Sequence, residues 1–156
     1  MTNNQIQEYT LKISQATSTG LVVILYDLAV NYIDDAKKAY NSSGHAEFRR
    51  ECTNARRVVL ELINALDFNY ELAMPLFRIY EFVSKEIADA VVKNDPKMLD
   101  KCKEYLLSLK GSFEKIEQSD KSGPAMGNAQ TVYAGLTYGK GVLNENIENN
   151  NRGFSV

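Results

Sequence analysis

The chain of 156 residues contains no tryptophan, one histidine, two cysteines and three prolines. Each scarcity excludes something. With His45 alone, neither a His-containing metal set nor a Ser-His relay can be assembled. Cys52 and Cys102 lie far apart in sequence, and both fall inside helical apolar patterns. They read as free buried thiols of a reducing cytoplasm rather than as a disulfide or a redox pair. Charge of one sign is also missing: 18 basic against 20 acidic residues leave a net charge of -2, so no electrostatic footprint for nucleic acid or an anionic membrane exists. No segment approaches the ~20 apolar residues of a membrane span. The opening "MTNNQIQEYTLKIS" has no basic stretch leading into an apolar one, so no secretion signal is expected, and Asn41-Ser42-Ser43 reads as a loop rather than a glycosylation site. The composition, 44% hydrophobic and 24% charged, is that of one ordinary globular domain with a core of its own.

What is present is helical period. Residues 1–16 are polar with isolated Ile6, Tyr9, Leu11 and Ile13, which suggests an arm lying on a surface rather than a self-standing element. Four helical patterns follow. The first starts at Thr17-Ser18-Thr19, whose hydroxyls can accept first-turn amides, and runs to about Tyr40 before "NSSG". The second carries Phe48, Cys52, Ala55, Val59, Leu62 and Leu66 at 4-3-4-3-4 spacing, one narrow buried seam. The third carries Leu72, Leu76, Ile79, Val83, Ile87 and Ala90, with Tyr80 flanking the seam. Asp95-Pro96 opens the fourth as N-cap and first-turn proline, and its seam is Leu99, Cys102, Leu106, Leu109, Phe113 and Ile116. Short connections between helices of this length predict an all-α fold: an antiparallel up-down four-helix bundle over 17–119. An N-terminal arm (1–16) precedes it and a Gly/Asn-rich C-terminal tail (120–156) follows, flexible or docked. From Lys121 onward the chain holds six of its nine glycines and the run "NENIENNN". It also holds "TVYAGLTYGKGVL" (131–143), whose Tyr133, Leu136, Tyr138 and Leu143 are unusual in a solvated tail.

The first pattern is wider than a bundle helix needs. Across residues 21–40, Leu21, Val22, Leu25, Tyr26, Leu28, Ala29, Tyr32, Ile33 and Ala36 fall on one arc of roughly 160°, which Val23 and Val30 widen to about 220°. Asp27, Asn31, Asp34 and Lys38 form the remaining polar strip. Surplus apolar surface of this kind marks a partner site if left open; the arm or the tail covering it is the equal alternative. No constellation supports catalysis, and no cofactor or metal is expected. "GLTYGKG" (135–141) departs from a phosphate loop in spacing, in its final residue and in lacking a preceding strand. Arg49-Arg50 and Arg56-Arg57 read as a solvated stripe.

Four stretches carry a resemblance. "ATSTGLVVILYD" (16–27), "NARRVVLELINALD" (54–67), "LFRIYEFVSKEIADAVVKND" (76–95) and "YLLSLKGSF" (105–113) are similar, in order and spacing, to the FliS family of flagellin-specific export chaperones of bacterial flagellar type III secretion. Phe113 stands where the family commonly has tryptophan, and the long tail has no counterpart in the typical member. The resemblance implies a cytosolic, non-enzymatic chaperone. It would bind the disordered C-terminal segment of flagellin, prevent premature polymerisation and deliver it to the flagellar export gate, without nucleic acid or membrane insertion. It further implies that Tyr9 and Ile13 of the arm temporarily occupy apolar surface, that Leu21, Val22, Leu25 and Tyr26 form the groove or its rim, that Tyr80 adds an aromatic wall, and that Asp27 caps or holds the arm. A monomer or weak dimer is expected. A helical scaffold that self-associates through the same patch is the rival reading.

Overall fold

The structure, a computed structural model, describes residues 1–119; the expected tail (120–156) lies outside the described residues. All regular secondary structure among the described residues is helical: α1 (Asn3–Gln15), α2 (Ser18–Ser42), α3 (His45–Asn64), α4 (Ala73–Lys93) and α5 (Met98–Ser119). The four expected helices correspond to α2–α5. The fifth, α1, corrects the expectation of an arm without structure of its own. Its start is closed by a reciprocal cap, in which the Gln5 amide donates to Thr2 Oγ1 at 3.3 Å and the Thr2 amide donates to Gln5 Oε1 at 2.8 Å. Two orphan donors of a first turn are satisfied this way. Tyr9 is the one buried side chain of α1.

The other boundaries follow from local chemistry. Thr17 accepts the Gly20 amide at 3.0 Å and starts α2. Gly44, at φ 89°, turns the chain into α3, a conformation that costs glycine little. Asn94 ends α4 in the left-handed region at φ 52°, the Asp95 amide donating back to Ala90 at 3.0 Å, a helix-ending arrangement that satisfies late carbonyls. Asp95-Pro96 does not begin the last helix directly. The amides of Met98, Leu99 and Asp100 donate to carbonyls three residues back, Asp95 Oδ1 accepts the Lys97 amide at 3.0 Å, and α5 is regular from Met98.

α2 packs against α3 and α5, α3 against α4, and α4 against α5. Residue numbers run in opposite directions across these contacts. Asp27 meets Lys110, Asp34 meets Lys103, both at 2.7 Å, and Lys37 meets Asp100. Across α3 and α4, His45 meets Asn94 and Arg56 meets Ser84. The α3 seam is buried throughout, from Phe48 to Leu66. In α4 Leu76, Val83, Ile87 and Ala90 of the expected seam are inside, while Ala73 and Tyr80 take the places of Leu72, which is 53% exposed, and Ile79, which is half-buried. Tyr26, Tyr80 and Phe113 join α2, α4 and α5 in one aromatic cluster, with centroids 6.3 Å (Tyr26–Tyr80) and 5.6 Å (Tyr26–Phe113) apart.

Candidate functional site: a clasped helix and an open apolar furrow

Two residues of the polar strip of α2, Asp27 and Asn31, face Tyr9 of α1. Tyr9 donates its hydroxyl proton to Asp27 Oδ2 at 2.6 Å, and the Asn31 amide donates to the same Tyr9 oxygen. Lys110 of α5 reaches the other carboxylate oxygen of Asp27 at 2.7 Å. Lys12 stands over the Tyr9 ring, 5.4 Å from its centroid, at a distance where a cation is attracted to the ring face. Burial, reinforced by the neighbouring Asp27 charge, holds the Tyr9 proton more tightly than usual. For Asp27, burial opposes ionisation, but the hydrogen bonds from Lys110 and Tyr9 outweigh it and hold the carboxyl below its ordinary range. Tyr9, Asp27, Asn31 and Lys110 together clasp α1 onto α2.

The expected site residues separate into three groups. Tyr9 and Asp27 are joined in the clasp. Ile13, Leu21 and Leu25 are half-buried. Val22, Tyr26 and Tyr80 each have no exposed surface, and the two tyrosine hydroxyls are hydrogen-bonded to one another. All three belong to the buried core. Val23 and Val30, which make the α2 arc so wide, are also sealed into the core. Two packed neighbours, α3 and α5, cover most of that arc.

Open apolar surface lies elsewhere. A furrow of about 440 Å³ runs between α3 and α4, with Leu60 and Ile63 on one wall and Phe77 and Ala88 on the other. Arg56 donates to Ser84 across it at 3.2 Å. A further hollow of about 240 Å³ continues along the same two helices past Arg56 and Ala88 to Val91 and Val92. Phe68 packs edge-on to Phe77, with centroids 5.6 Å apart, and is 54% exposed. None of Leu60, Ile63, Phe68 or Phe77 was singled out from sequence. Each sits off its helix's seam or in a loop, and only the pairing of α3 with α4 brings them together.

Burial pushes the thiols of Cys52 and Cys102 up to about 12, with Glu51 and Glu86 adding to the respective shifts. A thiol held protonated in this way is inert. No described helix is long and apolar enough to cross a membrane. The geometry thus consists of a helix held on α2 by one polar cluster and an apolar furrow between α3 and α4.

Comparison with known proteins gives this surface a context. The chain is 23% identical over 109 residues to the flagellar secretion chaperone FliS of Bacillus subtilis (strain 168), an alignment that covers 70% of this chain and 82% of that protein. A model of the family described as flagellar protein FliS matches residues 1–120, the whole of the described structure. The chain therefore belongs to the FliS family of flagellar proteins.

Proposed function

We propose that this protein is a cytosolic export chaperone that binds the disordered C-terminal segment of flagellin, keeps it from polymerising and passes it to the flagellar type III export apparatus. In this reading α2–α5 act as an antiparallel up-down four-helix bundle, a rigid cylinder around which an extended partner can lie. The observation that carries it is the apolar furrow between α3 and α4, on a chain of this family. Its walls can take the apolar face of a helical peptide, in helix-in-groove fashion. Ile13, Leu21 and Leu25 add contact area around α1, which yields to cargo when the clasp opens. Ordering a disordered segment costs several kcal/mol, so more than one such surface is needed for useful affinity.

The direct test is gel filtration of the purified protein with a flagellin C-terminal fragment at micromolar concentration, where co-elution is expected. Leu60→Asp removes an anchor worth about 1.5–3 kcal/mol when buried, so the fragment should bind at least about tenfold more weakly while circular dichroism stays unchanged. An unbound fragment, or full binding by Leu60→Asp, refutes the furrow reading. The exposed Leu60, Phe68, Leu72 and Met74 would equally suit a self-associating scaffold. Light scattering without cargo separates the two, a dimer that persists on dilution favouring the scaffold.

A further inference from the structure

The furrow is apolar at one end and basic along the rest. Leu60, Ile63 and Phe77 line the end where α3 finishes and α4 begins, whereas Arg56, Lys85 and, in the hollow that continues along the same helices, Arg49 line the remainder. Glu81 is the one carboxylate among the residues lining the two hollows. Several cations elsewhere on the molecule are matched. Lys37 meets Asp100, Lys103 meets Asp34 and Lys110 meets Asp27 across the contact of α2 with α5, and Arg50 meets Glu47 and Glu51. No ion pair among the described residues involves Arg49, Arg56 or Lys85.

Arg56 is the best placed of the three. It lines both hollows and is half-buried, and its Nε donates to the Oγ of the buried Ser84 at 3.2 Å. That bond holds the guanidinium against the α4 wall and leaves its two terminal nitrogens as the fork that fits a carboxylate. A cation partly withdrawn from water gains most from a counter-charge brought to it. Spacing sets what could bring one. At ~1.5 Å per residue along α3, Leu60 and Ile63 stand ~6 and ~10 Å from Arg56 on one side, and Arg49 ~10 Å on the other. A helix covering the whole stretch needs about 14 residues. Its apolar stripe would meet Leu60, Ile63 and Phe77, and carboxylates about two turns apart would meet Arg56 with Lys85, then Arg49.

We propose that the α3–α4 furrow takes an acidic amphipathic helix, its apolar side chains seated at the Leu60 end and its carboxylates on Arg56, Lys85 and Arg49. This rests on the reading of the furrow as a peptide site and names the chemistry that the site selects. A helix with basic flanks would set like charges against the same walls and be rejected.

The test uses the full chain and two fluorescein-labelled helical peptides of about 14 residues. Both carry the same Leu and Phe stripe; one has Glu and its twin Lys at the flanking positions. By fluorescence anisotropy at low salt, the Glu peptide should bind at least about tenfold more tightly than the Lys twin, three matched charge pairs each contributing a few-fold. The ratio should shrink in 0.5 M NaCl, where screening shortens to a few ångströms (~4 Å). Arg49→Gln, Arg56→Gln and Lys85→Gln combined should bring the ratio close to one while circular dichroism stays native. Lys85→Gln alone, at an exposed position, should lower it about two- to fourfold. A charge-matched control, Lys97→Gln with Lys101→Gln and Lys115→Gln at exposed positions outside the furrow, should leave it unchanged. Three results overturn the proposal: equal affinity for the twins, no binding of the Glu peptide at millimolar concentration, or a preference that survives the furrow substitutions. Flagellin plays no part in these measurements. A flagellin fragment that co-elutes while the twins bind alike removes only the charge rule, and an unbound flagellin fragment leaves a Glu-peptide preference standing.

Discussion

Tyr9→Phe deletes the hydroxyl through which α1 is tied to Asp27 and Asn31 while keeping the ring that packs against α2. A hydrogen bond to a charged acceptor is worth about 1.5–3 kcal/mol. Asp27 has a third of its side chain exposed and retains Lys110, so the lower end applies, about 1.5 kcal/mol or a tenfold change in the docking equilibrium. A 13-residue helix is marginal on its own in water, and with one buried side chain its attachment should be far weaker than the roughly 5–15 kcal/mol that holds a domain together. Opening of α1 is then a local event, visible in backbone amide exchange without unfolding of the rest. Measured at pH 7, exchange in the second half of α1 should speed up about tenfold in Tyr9→Phe, with α3 and α4 unchanged. Unchanged exchange in α1 would mean that the clasp contributes nothing. An equal loss of protection in α3 and α4 would mean that α1 is part of the cooperative core and no displaceable strap exists.

Acid should act on the same clasp. The Asp27 carboxyl is lowered from 3.8 in the folded state, so its stabilisation is complete above that value and is lost as pH falls through the folded one. Opening of α1, read by exchange, should therefore increase below about pH 4 and lose most of this dependence in Asp27→Asn. For Tyr9 the folded value is raised above 10.0, so its contribution is complete below pH 10 and is lost as pH rises further, a dependence that Tyr9→Phe should abolish. Leu106→Ala, at a position with no exposed surface, should cost about 2–5 kcal/mol in urea unfolding; less than 1 kcal/mol would mean that the core closes over the gap. Cys52 and Cys102 should resist a thiol reagent at pH 8 in the native protein and both react on unfolding, and rapid native reaction would contradict their burial.

How far the sequence could be read depends on whether a signal lives inside one helix or between two. The α3 seam, Phe48 to Leu66, is legible because a helix buried along one narrow stripe displays its packing in its own spacing. In α4 two stripes compete, one through Ile79 and one through Tyr80. The choice turns on whether Leu72 or Ala73 leads the helix, which periodicity alone does not settle. Structure puts Ala73 and Tyr80 inside, where the Tyr80 hydroxyl is hydrogen-bonded to that of Tyr26 on α2, a pairing across 54 residues. α1 was missed for a different reason. Ile6, Tyr9 and Ile13 do recur at helical spacing, but the polar background masked it, and the Thr2–Gln5 cap was the signal that could have revealed the helix. The α2 arc was seen correctly as wide, yet its excess is absorbed by two packed neighbours rather than left open.

Strap and furrow are separate surfaces, and their separation constrains what kind of partner can use both. α1 lies along α2, joined by a clasp made of Tyr9, Asp27, Asn31 and Lys110. The furrow is lined from α3 and α4 alone. Releasing α1 therefore uncovers Asp27 and Asn31 and leaves the α3–α4 walls as they were. A partner confined to one groove would gain nothing from displacing α1. A partner that displaces α1 and also fills the furrow must pass around the helical cylinder. A folded domain, convex and rigid, reaches one side at a time, whereas an unfolded chain can wrap a large surface with several short anchors, at an ordering cost. The placement of the two surfaces thus favours an extended, disordered ligand over a folded one, independently of the sequence likeness that first suggested flagellin. Leu25→Asp on the α2 side and Leu60→Asp on the furrow side should then each weaken the same flagellin fragment. Their effects should add, as for sites with no shared contacts. A fragment that loses affinity through one substitution alone would confine binding to one face and remove the need for a wrapping chain.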